Sequence, residues 1–240
     1  MEQRSIYAQI ADRTDGTVYI GVVGPVRTGK STFIKRFMEE LVIPSAEDST
    51  RAVMTDELPQ SAAGRTVMTT EPKFVPAQAA KISIREGAEA SVRLVDCVGF
   101  AVEGAGGFEE DGSPRLIKTP WSDQAMPFEK AAKLGTEKVI REHSTIGILM
   151  TTDGSITQIG REDYVEAEER VIRELKEQGK PFVIVLNSTH PNNAETLALA
   201  MAMQEKYDAT VRAADVMQMS SAEFYDLMEL VLMEFPIRMV

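Results

Sequence analysis

The chain has 240 residues, a formal net charge of −11, 43% hydrophobic and 26% charged residues, which suits one globular domain with a full core and excludes a disordered or repetitive chain. The acidic balance argues against a nucleic-acid partner, since contact with phosphate backbones needs clustered Lys and Arg. No apolar run, FVIVL included, is long enough for a transmembrane segment, and MEQRSIYAQIADR lacks the apolar core of a secretory signal.

Residues 17–23, TVYIGVV, predict a buried strand. It runs into GPVRTGKS, residues 24–31, which fits the phosphate-loop pattern G-x-x-x-x-G-K-S/T, with a helix predicted over 30–41. Gly24 and Gly29 let consecutive N–H groups turn inward around a phosphate at the N-terminus of that helix. Lys30 then reaches the β- and γ-phosphates, the Ser31 hydroxyl ligates magnesium, and Thr28 and Thr32 flank them as further nucleotide contacts. The stretch GRTVMTTEPKF, residues 64–74, lies where GTPase-type domains place a threonine that closes over magnesium and the γ-phosphate. Thr69 and Thr70 are the candidates, against a plainer reading as β-branched residues leading into a strand.

Strands are predicted at 73–76, 80–85 and 91–97. The connections are too short for parallel crossovers, so one antiparallel strand is expected between the first helix and LVDCVG. In LVDCVG, residues 94–99, Asp96 ends a strand and holds magnesium through water, while the Gly99 N–H touches the γ-phosphate. Cys97, the single cysteine, excludes an internal disulfide and reads as a small buried hydrophobe in a reducing, cytosolic compartment. The acidic cluster EGAGGFEEDG, residues 103–112, reads as a solvated loop.

A helix is predicted over 128–143 and a strand over 146–151. Thr151, Thr152 and Asp153 stand at that strand's C-terminal end, the ligand side of a parallel sheet, although Asp153-Gly154 also reads as an ordinary turn. In the helix predicted over 161–178, Tyr164, Ala167, Val171 and Leu175 recur along one face, which marks core packing. Strands at 182–187 and, more weakly, 210–216 precede a helix over 221–234. The alternation predicts an α/β fold, a GTPase-like P-loop three-layer sandwich with a mostly parallel central sheet and one antiparallel strand.

Guanine-specific relatives of that fold carry N-K-x-D after the strand at 182–187. Here VLNSTHP keeps Asn187 but has Ser188 at the Lys position, then Thr189, and His190 at the Asp position. A neutral imidazole has one acceptor and cannot take two donors from a guanine edge as a carboxylate does. Guanine preference is therefore lost, while Asn187, Thr189 and His190 remain base-side candidates. After the D-x-x-G glycine, Phe100 replaces the Gln that orients water in small signalling GTPases. Two substitutes are open: Thr69 or Thr70, or Arg27, which either offsets transition-state charge in cis or points into solvent. Slow turnover is expected. His143 ends a helix with no second His or Cys nearby, which argues against a metal site there.

Taken together, GPVRTGKST, DELPQSAAG, MTTEPKFVP, RLVDCVGF, EHSTIGI, TTDGSI, AEERVI and NSTHP resemble the nucleotide-binding domain of the stage IV sporulation protein A family over nearly the whole chain. The resemblance implies a magnesium-dependent ATPase whose hydrolysis of ATP drives self-assembly into the basement layer of the spore coat. It places the protein in the mother-cell cytoplasm, on the forespore surface, with a small membrane-bound anchoring protein and other coat proteins as partners. By the same resemblance Lys30 and Ser31 take the phosphate and magnesium positions, Thr69 and Thr70 the paired threonines, and Asp96 the metal-side carboxylate, with Thr70 a further candidate at the metal. The family protein is about twice this length, so residues 1–240 are expected to be its ATPase domain alone. A scaffold that binds nucleotide without turnover and a signalling GTPase are the competing readings.

Overall fold

The computed structural model describes residues 17–59, 71–83, 89–110, 112–119 and 121–234. Strand β1 (Thr17–Val23) leads into helix α1 (Lys30–Phe37), extended by a π turn at Met38–Val42, and then α2 (Asp48–Asp56). Next come β2 (Lys73–Ser83), β3 (Glu89–Asp96) and two small hairpins, β4 (Glu109–Glu110) with β5 (Ser113–Pro114) and β6 (Leu116–Thr119) with β7 (Ser122–Pro127). Helix α3 (Phe128–Lys138), β8 (Ile146–Thr152), α4 (Arg161–Glu177), β9 (Phe182–Asn187), α5 (Ala194–Tyr207), β10 (Val211–Ala214) and α6 (Ser221–Met233) follow.

The main sheet has the order β10-β9-β8-β1-β3-β2. All neighbours are parallel except β2 and β3, because helical crossovers join the others and only a short connection joins β2 to β3. IGILMTT and FVIVLN are buried along their whole lengths, as central strands covered on both faces must be.

One face of the sheet packs on α1 and α6. The rings of Phe33 and Phe37 meet Phe224 at centroid distances of 5.5 and 5.7 Å. The other face packs on α3, α4 and α5, through Tyr164, Val171, Leu175, Met203 and Tyr207. Each of these large side chains, fully buried, contributes about 2–3 kcal/mol of transfer free energy. The result is the three-layer α/β arrangement, with a mostly parallel sheet and one antiparallel strand, expected from the alternation of elements.

Several details differ from the sequence reading. The strands expected at 73–76 and 80–85 form one strand, β2, whose register against β3 shifts between Val75 and Ala80. A bulge absorbs residues 76–79, Pro-Ala-Gln-Ala, between the two paired segments, so no second turn is needed. Helix α5 was not singled out by periodicity, because Leu197 and Met201 are exposed on the face opposite Thr196, Ala200, Met203 and Tyr207. The residues between β3 and α3 form two hairpins where a solvated loop was expected in part. His143 lies edge-on to Phe74, ring centroids 5.6 Å apart. Among the described residues, no group of three or more His, Cys, Asp or Glu side chains is placed to hold a metal ion.

Candidate active site

The phosphate loop hangs between β1 and α1, at the C-terminal edge of the sheet. Gly24 has φ 140, and a side chain there would collide with the Met150 carbonyl of β8. The first glycine is thus needed both for its backbone angle and for the close approach of two strands. At the loop's far end, no side chain caps α1 and no acidic residue stands in its first turn. Among the described residues, every other α-helix has an acid there. The N–H groups opening α1 and their partial positive charge are therefore left for an anion from outside the chain.

Lys30 is 5% exposed and donates from Nζ to the carbonyl oxygens of Pro25 at 2.5 Å and Gly24 at 3.3 Å. Burial holds its ammonium below the usual lysine range, against the opposing pull of Cys97 and Asp96. A cation kept this dry gains more from an incoming phosphate than an exposed one would. Thr28 is fully buried and donates to the Pro25 carbonyl at 2.9 Å, which tightens the turn. Thr32 follows Ser31 in the first turn of α1, half-buried.

Ser31 donates from Oγ to Asp96 Oδ2 at 3.1 Å. Burial pushes the Asp96 carboxyl up, while Lys30 and Ser31 draw it down. Its other oxygen, Oδ1, is sealed from solvent and has no hydrogen-bond partner. A buried carboxylate oxygen left unpaired beside a hydroxyl is a costly arrangement in isolation. It is also the oxygen donor set that a magnesium ion takes, so the residues fit that ion.

The D-x-x-G loop is tied directly to the phosphate loop. Pro25 and Phe100 form a parallel bridge, and the Val26 N–H donates to the Phe100 carbonyl at 2.9 Å. Gly99 has φ 96, and a side chain at this position would strike the Gly24 carbonyl oxygen and Lys30 Nζ. Gly99 is thereby brought beside the lysine, as the motif requires. Phe100 is buried and packs in the core as a structural residue. Cys97 is buried and free, its thiol pushed up to about 11 by burial, which suits the small core hydrophobe expected.

Arg27 is exposed and takes a left-handed φ of 62. Its charge lies near enough to the Tyr164 hydroxyl to act on it. Thr69 and Thr70 lie outside the described residues.

On the base side, Asn187 acts as a brace. Its Nδ2 donates to the Thr28 carbonyl at 3.1 Å, and its Oδ1 accepts from the Val216 N–H at 3.2 Å. The phosphate loop, β9 and the loop after β10 are locked through this one carboxamide. Thr189 and His190 are exposed at the end of β9, and Thr189 Oγ1 pairs with His190 Nδ1 at 2.8 Å. The imidazole is left with a single nitrogen, Nε2, for any base.

Two groups of site-side residues were legible only in part: Thr151, Asp153 and Ser188 were named from the sequence, whereas Ser155, Arg161, Glu168 and Thr196 were not. Asp153, Ser155 and Thr196 form a hydrogen-bonded cluster beside the segment after β9, to which Ser155 is joined through the Thr189 N–H. Thr151 donates to the fully buried Glu168, which also accepts from Arg161 at 2.8 Å. The polar pair Thr151-Thr152 at the end of an apolar strand, and Glu168 at a core position of an amphipathic helix, were the available signals.

Comparison with known proteins agrees with this geometry. The family model described as stage IV sporulation protein A, ATPase domain, matches residues 1–236. Stage IV sporulation protein A from Bacillus anthracis and from Bacillus subtilis (strain 168) are each 54% identical over 238 residues, covering 99% of this chain and 48% of theirs. The protein of the same name from Clostridioides difficile (strain 630) is 54% identical over 234 residues, covering 97% of this chain and 48% of its own. The chain spans about half the length of the curated relatives it matches. Among the described residues, no helix is long and apolar enough to cross a membrane. With the family's ATPase model spanning residues 1–236 and the phosphate loop, Asp96 and Gly99 gathered at one end of the sheet, the chain belongs to the stage IV sporulation protein A family.

Proposed function

We propose that this chain binds ATP with magnesium and hydrolyses it slowly to ADP and phosphate, as the single ATPase domain of a coat-assembly protein. The observation that carries the reading is the unpartnered Asp96 Oδ1 beside the Ser31 hydroxyl, next to the buried Lys30. Lys30 and the open N-terminus of α1 hold the phosphates, and the Gly99 N–H faces the γ-phosphate. Ser31 and Asp96, with Thr70, are the residues to hold magnesium, which supplies charge neutralisation and Lewis acidity at the phosphate oxygens. Thr69 or Thr70 orients the attacking water, with Arg27 offsetting charge that develops at the γ-phosphate.

Adenine is preferred because His190 presents one nitrogen where guanine needs two acceptors. Each guanine donor left unpaired costs about 1–3 kcal/mol, roughly 5- to 150-fold in affinity. Family membership supports the wider role: ATP hydrolysis drives self-assembly of the whole protein into the basement layer of the spore coat. That layer forms on the forespore surface in the mother-cell cytoplasm, with a small membrane-bound anchoring protein and other coat proteins as partners. Competition of unlabelled ATP and GTP for a bound fluorescent ATP analogue, with magnesium, tests the base reading. ATP is expected to displace the probe at least about tenfold better; displacement by GTP at equal or lower concentration would overturn it.

A further inference from the structure

The base-reading segment after β9 is held from outside its own sequence, by the loop after β8. Ser155 Oγ accepts from the Thr189 N–H at 2.9 Å and in turn donates to Asp153 Oδ1 at 2.6 Å. Ser188 Oγ accepts from the His190 N–H at 2.9 Å. Thr196, in the first turn of α5, donates to Asp153 Oδ2 at 3.4 Å, and the Ser155 N–H donates to Oδ1 at 2.9 Å. The Thr189 amide is therefore connected to the Asp153 carboxylate through the Ser155 hydroxyl, and the His190 amide is held by Ser188 within the same segment. Ser188 occupies the position where guanine readers carry Lys, and it is fully buried.

We infer that Asp153 is a positioning residue that determines nucleotide specificity, by fixing the Ser188–His190 segment in the conformation that presents His190 to the base. The inference rests on the adenine reading above. It explains why a segment ending in two exposed residues is ordered tightly enough to discriminate: three donors converge on Asp153, two from Ser155 and one from Thr196. Hydroxyl-to-carboxylate bonds are the charge-assisted kind, stronger than neutral pairs. Specificity depends on such support, because a displacement of about 1 Å in a recognition group forfeits its hydrogen bond.

Amide hydrogen exchange on nucleotide-free wild type and Asp153→Ala gives the direct test. The Thr189 and His190 amides are expected to exchange at least about tenfold faster in the variant. The Ser188 and Val216 amides, bonded to the Ala214 carbonyl and to Asn187, are expected to stay within about twofold, which a general loss of stability would not allow. In parallel, the ratio of GTP to ATP dissociation constants is expected to narrow at least about fivefold, with KM for ATP rising by more than kcat falls. Ser188→Ala, which cuts only the link to His190, is expected to narrow the ratio too and serves if Asp153→Ala folds poorly. Unchanged exchange at Thr189 and His190 would overturn the inference, and so would faster exchange with an unaltered ratio. A wild-type chain that binds GTP as well as ATP would sink the adenine reading, and the exchange result separates that failure from a failure of Asp153.

Discussion

Replacing Asn187 with Ala should weaken the fold and the binding of both nucleotides, because this side chain joins three segments through both ends of its carboxamide. Thr28 and Val216 are fully buried, and their carbonyl and N–H meet the carboxamide at 3.1 and 3.2 Å. The variant leaves one buried acceptor and one buried donor without partners, each costing about 1–3 kcal/mol. A water entering the vacated volume has two polar partners and recovers part of this. The expected loss is about 2–4 kcal/mol, read as a lower urea midpoint at unchanged slope. Because the Thr28 carbonyl belongs to the phosphate loop, affinities for ATP and GTP should fall together, by at least about tenfold. Asn187→Asp keeps the acceptor for Val216 but turns a second acceptor toward Thr28, and should lose about as much. The bracing argument would be refuted by a stability change under about 0.5 kcal/mol. Selective loss of ATP binding with GTP binding intact would refute it equally, by making Asn187 a base contact.

Two further outcomes follow from particular contacts, and a third from the proposed mechanism. Glu168→Ala strands the Arg161 guanidinium, whose Nε and Nη1 already lack partners, and should cost about 3–5 kcal/mol in urea unfolding, with part regained when Arg161→Met is added. In the capping box of α6, the N–H and hydroxyl of Ser220 hold Glu223 below the usual carboxylate range. A depressed folded-state pKa gives stabilisation that is full above the unfolded value and is lost as pH falls through the folded one. The stability gap between wild type and Glu223→Gln should therefore be present at neutral pH and close on acidification; a gap that widens in acid would contradict it. Replacing both Thr69 and Thr70 with Ala should lower kcat for ATP at least about tenfold and weaken binding less, and unchanged turnover would remove them from the mechanism.

Motifs whose chemistry is local were legible in the sequence. GPVRTGKS and LVDCVG each imply their own backbone geometry, and the fold brings them together through Pro25 and Phe100. The core strands were legible because FVIVLN and most of IGILMTT are apolar on both faces, which only a covered parallel sheet tolerates. The single β2 was not, since whether KFVP and KISIR belong to one bulged strand depends on pairing with β3. Helix α5 was obscured by apolar residues on its exposed face, where period and burial no longer coincide. Asn187 was read as a base contact from its motif; its brace with Thr28 spans 159 positions, a separation that no local pattern encodes. Asp153 shows the same limit, for the contacts from which its role is inferred come from Thr196 on α5 and, through Ser155, from the segment after β9.

The central claim, that the phosphate loop of this chain turns over ATP, is tested most directly by phosphate release from γ-labelled ATP. Wild type and Lys30→Ala would be compared with magnesium and again with the metal chelated. Wild type with magnesium is expected to release phosphate in repeated turnovers. Chelation, or loss of the buried ammonium, should lower the rate at least about a hundredfold, as expected for groups that neutralise charge at a transferring phosphoryl group. Equal release from wild type and Lys30→Ala would contradict the account.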